Sequence, residues 1–218
     1  MRRIGLLGGT FNPIHNGHLH VANELLKQLQ FDEIRFIPSA VPALKTAPEV
    51  SAQDRAEMVK LAIADNPKFT LDLRELTRQA HDTQIPSYTI DTLQNLRTEL
   101  GEHVSLCLLM GYDAFLGLPK WHHWQALLDY AHIVVVNRPQ ASWEPSHELQ
   151  QLLKTHKTDV LNALLDAASG TVYFASIPPM DISSSEVRHR LASGQAVDSM
   201  IPSSVLGYIR QQHLYEAP

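Results

Sequence analysis

What most limits how this chain can fold is a set of short apolar runs, each stopped by a breaker or a polar residue. Residues 4–7 read Ile-Gly-Leu-Leu and run into Gly8-Gly9. Residues 34–37 read Ile-Arg-Phe-Ile and stop at Pro38. Residues 104–110 read Val-Ser-Leu-Cys-Leu-Leu-Met and stop at Gly111, and residues 133–136 are Ile-Val-Val-Val. Such runs fit strands buried on both faces, as in a parallel sheet covered by helices. Residues 69–73 and 172–177 read as further strands. Between the runs, apolar residues return at helical spacing: Leu19, Val21, Ala22, Leu25, Leu26 and Leu29 over residues 17–29, then Met58, Leu61, Ala62 and Ala64 behind Ser51 as N-cap. Residues 89–100 read as a helix with Gly101 just past its end, and residues 79–86 as a polar loop. Shorter helices are expected near 113–116 and over 121–130, and closing helices over 183–193 and 202–214. Strands alternating with helices predict an α/β fold: a doubly wound, Rossmann-like parallel sheet with helices on both faces and a C-terminal helical extension. At 218 residues, one domain over 1–218 is expected. Residues 139–170 are polar and helix-leaning and carry no readable function.

Composition narrows the function classes. The formal net charge of −5 excludes a generally basic nucleic-acid coat, although not a local anion pocket. The single cysteine, Cys107, excludes an intrachain disulfide framework and a multi-cysteine zinc site, and in its apolar run it reads as a buried small hydrophobe. No apolar stretch reaches about 18 residues, so no transmembrane helix is expected. The N-terminal apolar run breaks into Gly-Gly too soon for a signal-peptide core, and a cytoplasmic protein is expected. The chain has 12 histidines.

Two motifs carry chemistry. The first is Gly8-Gly9-Thr10-Phe11-Asn12-Pro13-Ile14-His15-Asn16-Gly17-His18. A strand, a glycine-rich turn and a helix N-terminus together make an anion site through backbone N–H groups and the helix dipole. The spacing is neither GxGxxG nor GxxxxGK[ST], so it is not a dinucleotide fingerprint or a P-loop. His15 and His18, three apart in a first helical turn, project on one face, where each can donate to phosphate oxygens. A metal pair is the other reading, although no third ligand is visible and HExxH is absent. The second motif is Asp181-Ile182-Ser183-Ser184-Ser185-Glu186-Val187-Arg188, directly after the last strand. Ser183 with Glu186 makes a capping box, and its N–H groups, hydroxyls and Arg188 would form a second phosphate grip. A capped helix with a solvated arginine is the plainer alternative.

The pair Gly-Gly-Thr-Phe-x-Pro-x-His-x-Gly-His and Ile-Ser-Ser-Ser-x-x-Arg resembles the nucleotidyltransferase superfamily. Within it the chain is similar to the nicotinate-nucleotide adenylyltransferase family of bacterial NAD biosynthesis. The likeness includes Pro86-Ser87-Tyr88-Thr89, Gly111-Tyr112-Asp113-Ala114-Phe115, Leu118-Pro119-Lys120-Trp121, Asn137-Arg138-Pro139 and Val205-Leu206-Gly207-Tyr208-Ile209. The resemblance implies transfer of the adenylyl group of ATP to nicotinate mononucleotide, with Mg²⁺ bound through the ATP phosphates rather than by a protein cage. It implies His15, His18 and Arg188 as catalytic residues. Gly8, Gly9, Thr10, Phe11, Gly111, Asp113, Arg138, Ile182, Ser183 and Ser184 would bind ATP. Lys45, Tyr88, Thr89, Trp121 and His122 would bind the mononucleotide: Lys45 its phosphate, Trp121 the cationic pyridine ring, and the backbone around Thr89 and His122 the carboxylate. No protein-held metal, nucleic-acid partner or membrane partner is implied, and homo-oligomerisation is left open. The chain departs from the family at Leu44, where a histidine commonly stands beside the basic residue, at Ser185 in place of Thr, and at Asn12, where Asp is also frequent. A related transferase of another phosphate, a non-catalytic nucleotide sensor on the same fold, and a zinc protein using the surplus histidines stay open at this level.

Overall fold

A computed structural model of the chain describes residues 1–41, 48–81, 86–137 and 144–216. Its strands are β1 (Arg2–Gly9), β2 (Glu33–Pro38), β3 (Phe69–Leu71), β4 (Val104–Gly111), β5 (His132–Asn137), β6 (Lys157–Thr158) and β7 (Val172–Ser176). Its helices are α1 (Asn16–Gln28), α2 (Ala52–Ile63), α3 (Arg74–His81), α4 (Thr89–Leu100), α5 (Tyr112–Leu116), α6 (Leu127–Tyr130), α7 (His147–His156), α8 (Ala163–Asp166), α9 (Ser184–Ala192) and α10 (Ser203–Gln211). The strands form one seven-stranded sheet in the order β3-β2-β1-β4-β5-β7-β6. The pairings β1/β4, β4/β5, β5/β7 and β7/β6 are parallel. This is the doubly wound α/β architecture expected from the apolar runs. The order reverses between β1 and β4, whose carboxyl ends are Gly8-Gly9 and Gly111, and such a switch point is where these sheets hold ligands.

The local chemistry explains most element boundaries. Ser51 Oγ accepts the Asp54 N–H at 3.1 Å and starts α2. Gly101, at φ +73°, ends α4 by donating its N–H to the Arg97 carbonyl at 2.9 Å. The Arg97 guanidinium closes that corner by donating to the carbonyls of Gly101, Val104, Tyr130 and Ala168. Two expectations are corrected. The polar loop begins later than residue 79, because α3 extends to His81. The helix is polar, so apolar periodicity is silent about it, and its start is fixed instead by the Asp72 carboxylate, which accepts from Arg74 N and Nε at 3.1 and 2.9 Å. The helix expected over 121–130 is a single 3₁₀ turn, Trp124–Ala126, followed by α6, and another 3₁₀ turn, Leu118–Lys120, precedes it. His123 at φ +48° interrupts any continuous helix there. Within 139–170 the helical lean is real in α7 and α8, and β6 is a two-residue edge strand too short to leave an apolar pattern.

Two compact units emerge, each assembled from three separated segments. One holds Met1–Gly8, Glu24–Ile34 and Tyr88–Pro179. Its core is built from Ile4, Leu6, Leu106, Leu108, residues 133–136 and the α4 face of Ile90, Leu93 and Leu96, with Phe115 edge-on to Phe174 at 5.6 Å. Gly5 fits tightly here: a Cβ would lie 3.0 Å from Leu109 and 3.1 Å from Ile34, so those side chains would have to shift. Truncating a buried leucine such as Leu108 should cost about 2–5 kcal/mol. The other unit holds Gly9–Asn23, Arg35–Ser87 and Met180–Pro218. Its core centres on Phe36, which meets Phe11 at 6.0 Å and Phe69 at 5.2 Å, and on Met58 and Val59 of α2 with Val205 and Ile209 of α10.

Candidate active site

In the second unit the glycine turn delivers Phe11 into the core, 2 % exposed, and its ring lies over Gly9, where a Cβ would meet it at 3.2 Å. The chain then enters α1 with His15 just before the first helical residue and His18 inside the first turn. The imidazoles face each other, ring centroids 3.7 Å apart. The expected pairing is therefore present. Its bonding is specific: the His15 backbone N–H donates to His18 Nδ1 at 3.3 Å. That assignment puts the His18 proton on Nε2. His15 is buried, 5 % exposed, and burial holds its pKa down at about 4, so it is a neutral imidazole at pH 7. Its Nδ1 is buried with no hydrogen-bond partner. Gly17 makes the approach possible: a Cβ there would stand 3.0 Å from His15 Cε1 and Nδ1 and 3.4 Å from the Ile182 carbonyl.

The serine motif belongs to the same constellation. Ser183 caps α9, its Oγ accepting the Glu186 N–H at 3.2 Å. The capping box is half realised, because the Glu186 carboxylate accepts from Arg190 Nε at 2.6 Å. Ser184 Oγ donates to the Pro13 carbonyl at 3.0 Å, and Arg188 donates from Nη1 to the Asn12 carbonyl at 2.7 Å and from Nη2 to Ser185 Oγ at 3.3 Å. Asn16 adds a third tie, its N–H and Nδ2 donating to the carbonyls of Met200 and Ser199. Two motifs some 170 residues apart thus close on one another, and Arg188 is held rather than solvated.

In the first unit a second group forms. Tyr88 caps α4 in extended conformation, so Thr89 N–H is one of the first-turn donors that a helix leaves without an internal acceptor. The Tyr88 ring stacks on His122 at 4.3 Å, and His122 lies 4.0 Å from His123. This brings the Thr89 and His122 segments together. Trp121, at the end of the first 3₁₀ turn, is half-buried. Asp113 is exposed in the first turn of α5, and Gly111 before it and Gly8 at the end of β1 both front open space. Lys45, its neighbour Leu44, and Arg138 lie outside the described residues. Burial pushes the Cys107 thiol up to about 12, so it is inert. Among the described residues no group of three or more His, Cys, Asp or Glu is arranged to hold a metal.

The sequence patterns do not single out Arg55 or Tyr215. Arg55 is 1 % exposed and donates to the carbonyls of Thr10 at 2.6 Å and Ala40 at 3.1 Å. Tyr215 donates from its hydroxyl to Asn12 Oδ1 at 2.6 Å. Arg55 does leave one signal: a charged residue in register with the apolar face of Met58, Val59 and Ile63.

A doubly wound sheet with paired imidazoles and a capped, arginine-bearing helix around a glycine turn defines the nucleotidyltransferase class, and the comparisons agree. The chain belongs to the cytidylyltransferase-like family, whose model matches residues 6–190. Within it the chain is a member of the nicotinate-nucleotide adenylyltransferases. It is 44% identical over 217 residues to a protein of Pseudomonas aeruginosa PAO1 named probable nicotinate-nucleotide adenylyltransferase, covering 100% of this chain and 99% of that one. A protein of the same name from Pseudomonas fluorescens Pf-5 is 45% identical over 217 residues, with the same coverage. In fold, the chain is similar to Plasmodium falciparum nicotinic acid mononucleotide adenylyltransferase solved with NaAD, at TM-score 0.72 and 19% identity over 99% of this chain and 98% of that one.

Proposed function

We propose that this protein transfers the adenylyl group of ATP to nicotinate mononucleotide, giving nicotinate adenine dinucleotide and pyrophosphate in NAD biosynthesis. One observation carries the chemistry: the glycine turn and the serine motif, remote in sequence, are joined through Arg188 and Asn12 at 2.7 Å beside the close-set imidazoles of His15 and His18. The mononucleotide phosphate, already anionic at pH 7, attacks the α-phosphorus. A new P–O bond forms, the bond to the β-phosphate oxygen breaks, and the electron pair leaves with pyrophosphate. No protein base is required. Rate comes from positioning and from donors aimed at the charge that develops on phosphate oxygens.

In this reading His18 donates from Nε2–H to those oxygens. His15, neutral and desolvated, adds a second preorganised donor, and Arg188 meets the outgoing phosphates. Gly8, Gly9, Thr10, Phe11, Ile182, Ser183 and Ser184 hold ATP through backbone N–H and hydroxyl groups, and Gly111 and Asp113 are assigned to ATP on the family likeness. Trp121 and Tyr88 supply aromatic surface to the pyridine ring, and the N–H groups near Thr89 and His122 read its carboxylate. An amide NH₂ would face such donors with nothing to accept. Lys45 and Arg138 are assigned to the mononucleotide phosphate and to ATP on the family likeness alone. Mg²⁺, when bound, would be held through the ATP phosphates and would neutralise the departing charge. The reading takes residues 1–218 as one nucleotidyltransferase domain, supported by two units interleaved in sequence. No helix among the described residues is long and apolar enough to cross a membrane. We place the protein in the cytoplasm with its nucleotide substrates. The deciding experiment incubates the full chain with ATP, Mg²⁺ and nicotinate mononucleotide and follows dinucleotide and pyrophosphate. No product from that mixture, with product from another phosphate acceptor, overturns the reading.

A further inference from the structure

Arg55 stands where the fold alone would place an apolar side chain. It lies on the buried face of α2 with Met58 and Val59, 1 % exposed. Burying a cation without a counter-charge costs several kcal/mol, and a well-packed hydrophobe is the more stable choice for such a site. Among the described residues Arg55 makes no ion pair, and its Nε is buried without a hydrogen-bond partner. What it does hold is two carbonyl oxygens, those of Thr10 and Ala40, at 2.6 and 3.1 Å. Each belongs to the loop that follows a strand: Thr10 comes directly after β1, and Ala40 shortly after β2.

The consequence lies one atom further on. In a trans peptide the carbonyl oxygen of one residue and the N–H of the next lie in one plane and point in opposite directions. A carbonyl drawn towards the Arg55 guanidinium therefore turns the next N–H away from it. For Thr10 that N–H belongs to Phe11, and for Ala40 it belongs to Val41. Phe11 has φ +48°, a left-handed conformation that an aromatic residue rarely adopts and that needs outside support. The second loop is braced in the same way from its other side: Ala40 N–H donates to Ser87 Oγ at 3.3 Å, and Ser87 N–H donates to the Val41 carbonyl at 3.1 Å. Ser39 N–H also donates to the Gly9 carbonyl at 2.9 Å, which ties the two loops at their starts.

We propose that Arg55 is a positioning residue for adenylyl transfer: by gripping the Thr10 and Ala40 carbonyls together, it sets the Phe11 and Val41 N–H groups as donors for the anionic groups of the substrates. This rests on the function proposed above. A planar guanidinium can hold two carbonyls at once, and a lysine, with one compact ammonium, does so poorly. The residue thus links the glycine turn to the loop after β2, and a change in it is felt in both substrates.

The test uses the full chain with Arg55→Lys and Arg55→Ala, measuring kcat and KM for ATP and for nicotinate mononucleotide, thermal midpoints without ligand, and ATP binding by calorimetry. Arg55→Lys should lose roughly ten- to a hundredfold in kcat/KM for both substrates while remaining folded. Arg55→Ala should lose more, and millimolar guanidinium should restore part of its rate where equal sodium chloride does not. A merely structural arginine predicts folded variants with wild-type kcat and KM and no answer to guanidinium, and that result overturns the proposal. If Arg55→Ala does not fold, Arg55→Lys decides alone: wild-type constants overturn the proposal, and a joint loss in both substrates supports it. Wild-type enzyme run alongside separates the two readings, since no dinucleotide from wild type refutes the function, while full activity in the folded variants refutes only the role of Arg55.

Discussion

The two groups of candidate residues are built on different physical plans. In the second unit, the histidine and serine motifs are tied by bonds that span most of the chain: Ser184 to Pro13, Arg188 to Asn12 and Tyr215 to Asn12, with His15 buried. In the first unit, Tyr88, Thr89, Trp121 and His122 are half-buried or exposed, and Tyr88 and His122 meet through a ring stack. The difference matches the role proposed for each. Donors that stabilise developing charge must be aimed beforehand, because reorientation during reaction would cancel the gain. A flat aromatic ring can be gripped by surface area with far looser geometry. Substitutions in the first group should therefore fall on kcat, and those in the second on KM and on the choice of substrate.

The largest expected effect is His18→Ala, which should lower kcat by roughly 10²–10³, the amount lost with one preorganised charge-stabilising donor. An unchanged kcat would erase the contrast. Next is a stability effect of His15. Its folded pKa of about 4 lies below its ordinary value of 6.5, so above pH 6.5 both states are neutral and full stability is present. As pH falls from 6.5 towards 4, the unfolded imidazole binds a proton that the folded one refuses. Stability should drop by about 3 kcal/mol across that window at ~1.36 kcal/mol per pH unit of difference. Denaturant titrations of wild type and His15→Gln check it: the variant should lack this increment even though buried His132, also lowered by burial, still contributes. Equal slopes would remove His15 as the cause.

Substrate choice comes third. Nicotinate mononucleotide should exceed the nicotinamide form in kcat/KM by well over tenfold, since a mispaired buried polar contact costs about 1–3 kcal/mol. Competition between the two forms measures this directly, and equal rates would detach Thr89 and His122 from carboxylate reading. The smallest effect is Trp121→Ala, which should raise KM for the mononucleotide about fivefold, near 1 kcal/mol of cation–π contact, with kcat little changed. A fall in kcat with unchanged KM would move Trp121 to the other side of the comparison.

Much of the site is legible in the chain because its chemistry is local. Gly17 lies between His15 and His18 and clears room for both rings. Ser183 sits three residues before the amide it caps, and Gly101 ends α4 one residue past its last turn. Patterns of this kind need only near neighbours, and the apolar runs announce six of the seven strands for the same reason. Elements held by side chains rather than by periodicity are silent: α3 rests on the Asp72 cap, the 3₁₀ turns around Trp121 rest on one left-handed residue, His123, and β6 has too few residues to show alternation.

The sequence by itself determined the layered α/β fold, the buried Cys107 and the Ser183 cap of α9, because burial pattern and capping are written at short range. Only the tertiary structure decided that Arg188 reaches the Asn12 carbonyl. It alone made His15 a neutral imidazole, since burial depends on what the rest of the chain packs against it. It also set Arg55 beneath two loop carbonyls that lie 45 and 15 residues away in sequence. Side-chain bonds at such separations depend on where the sheet and helices set each strand end, and no spacing rule reaches that far.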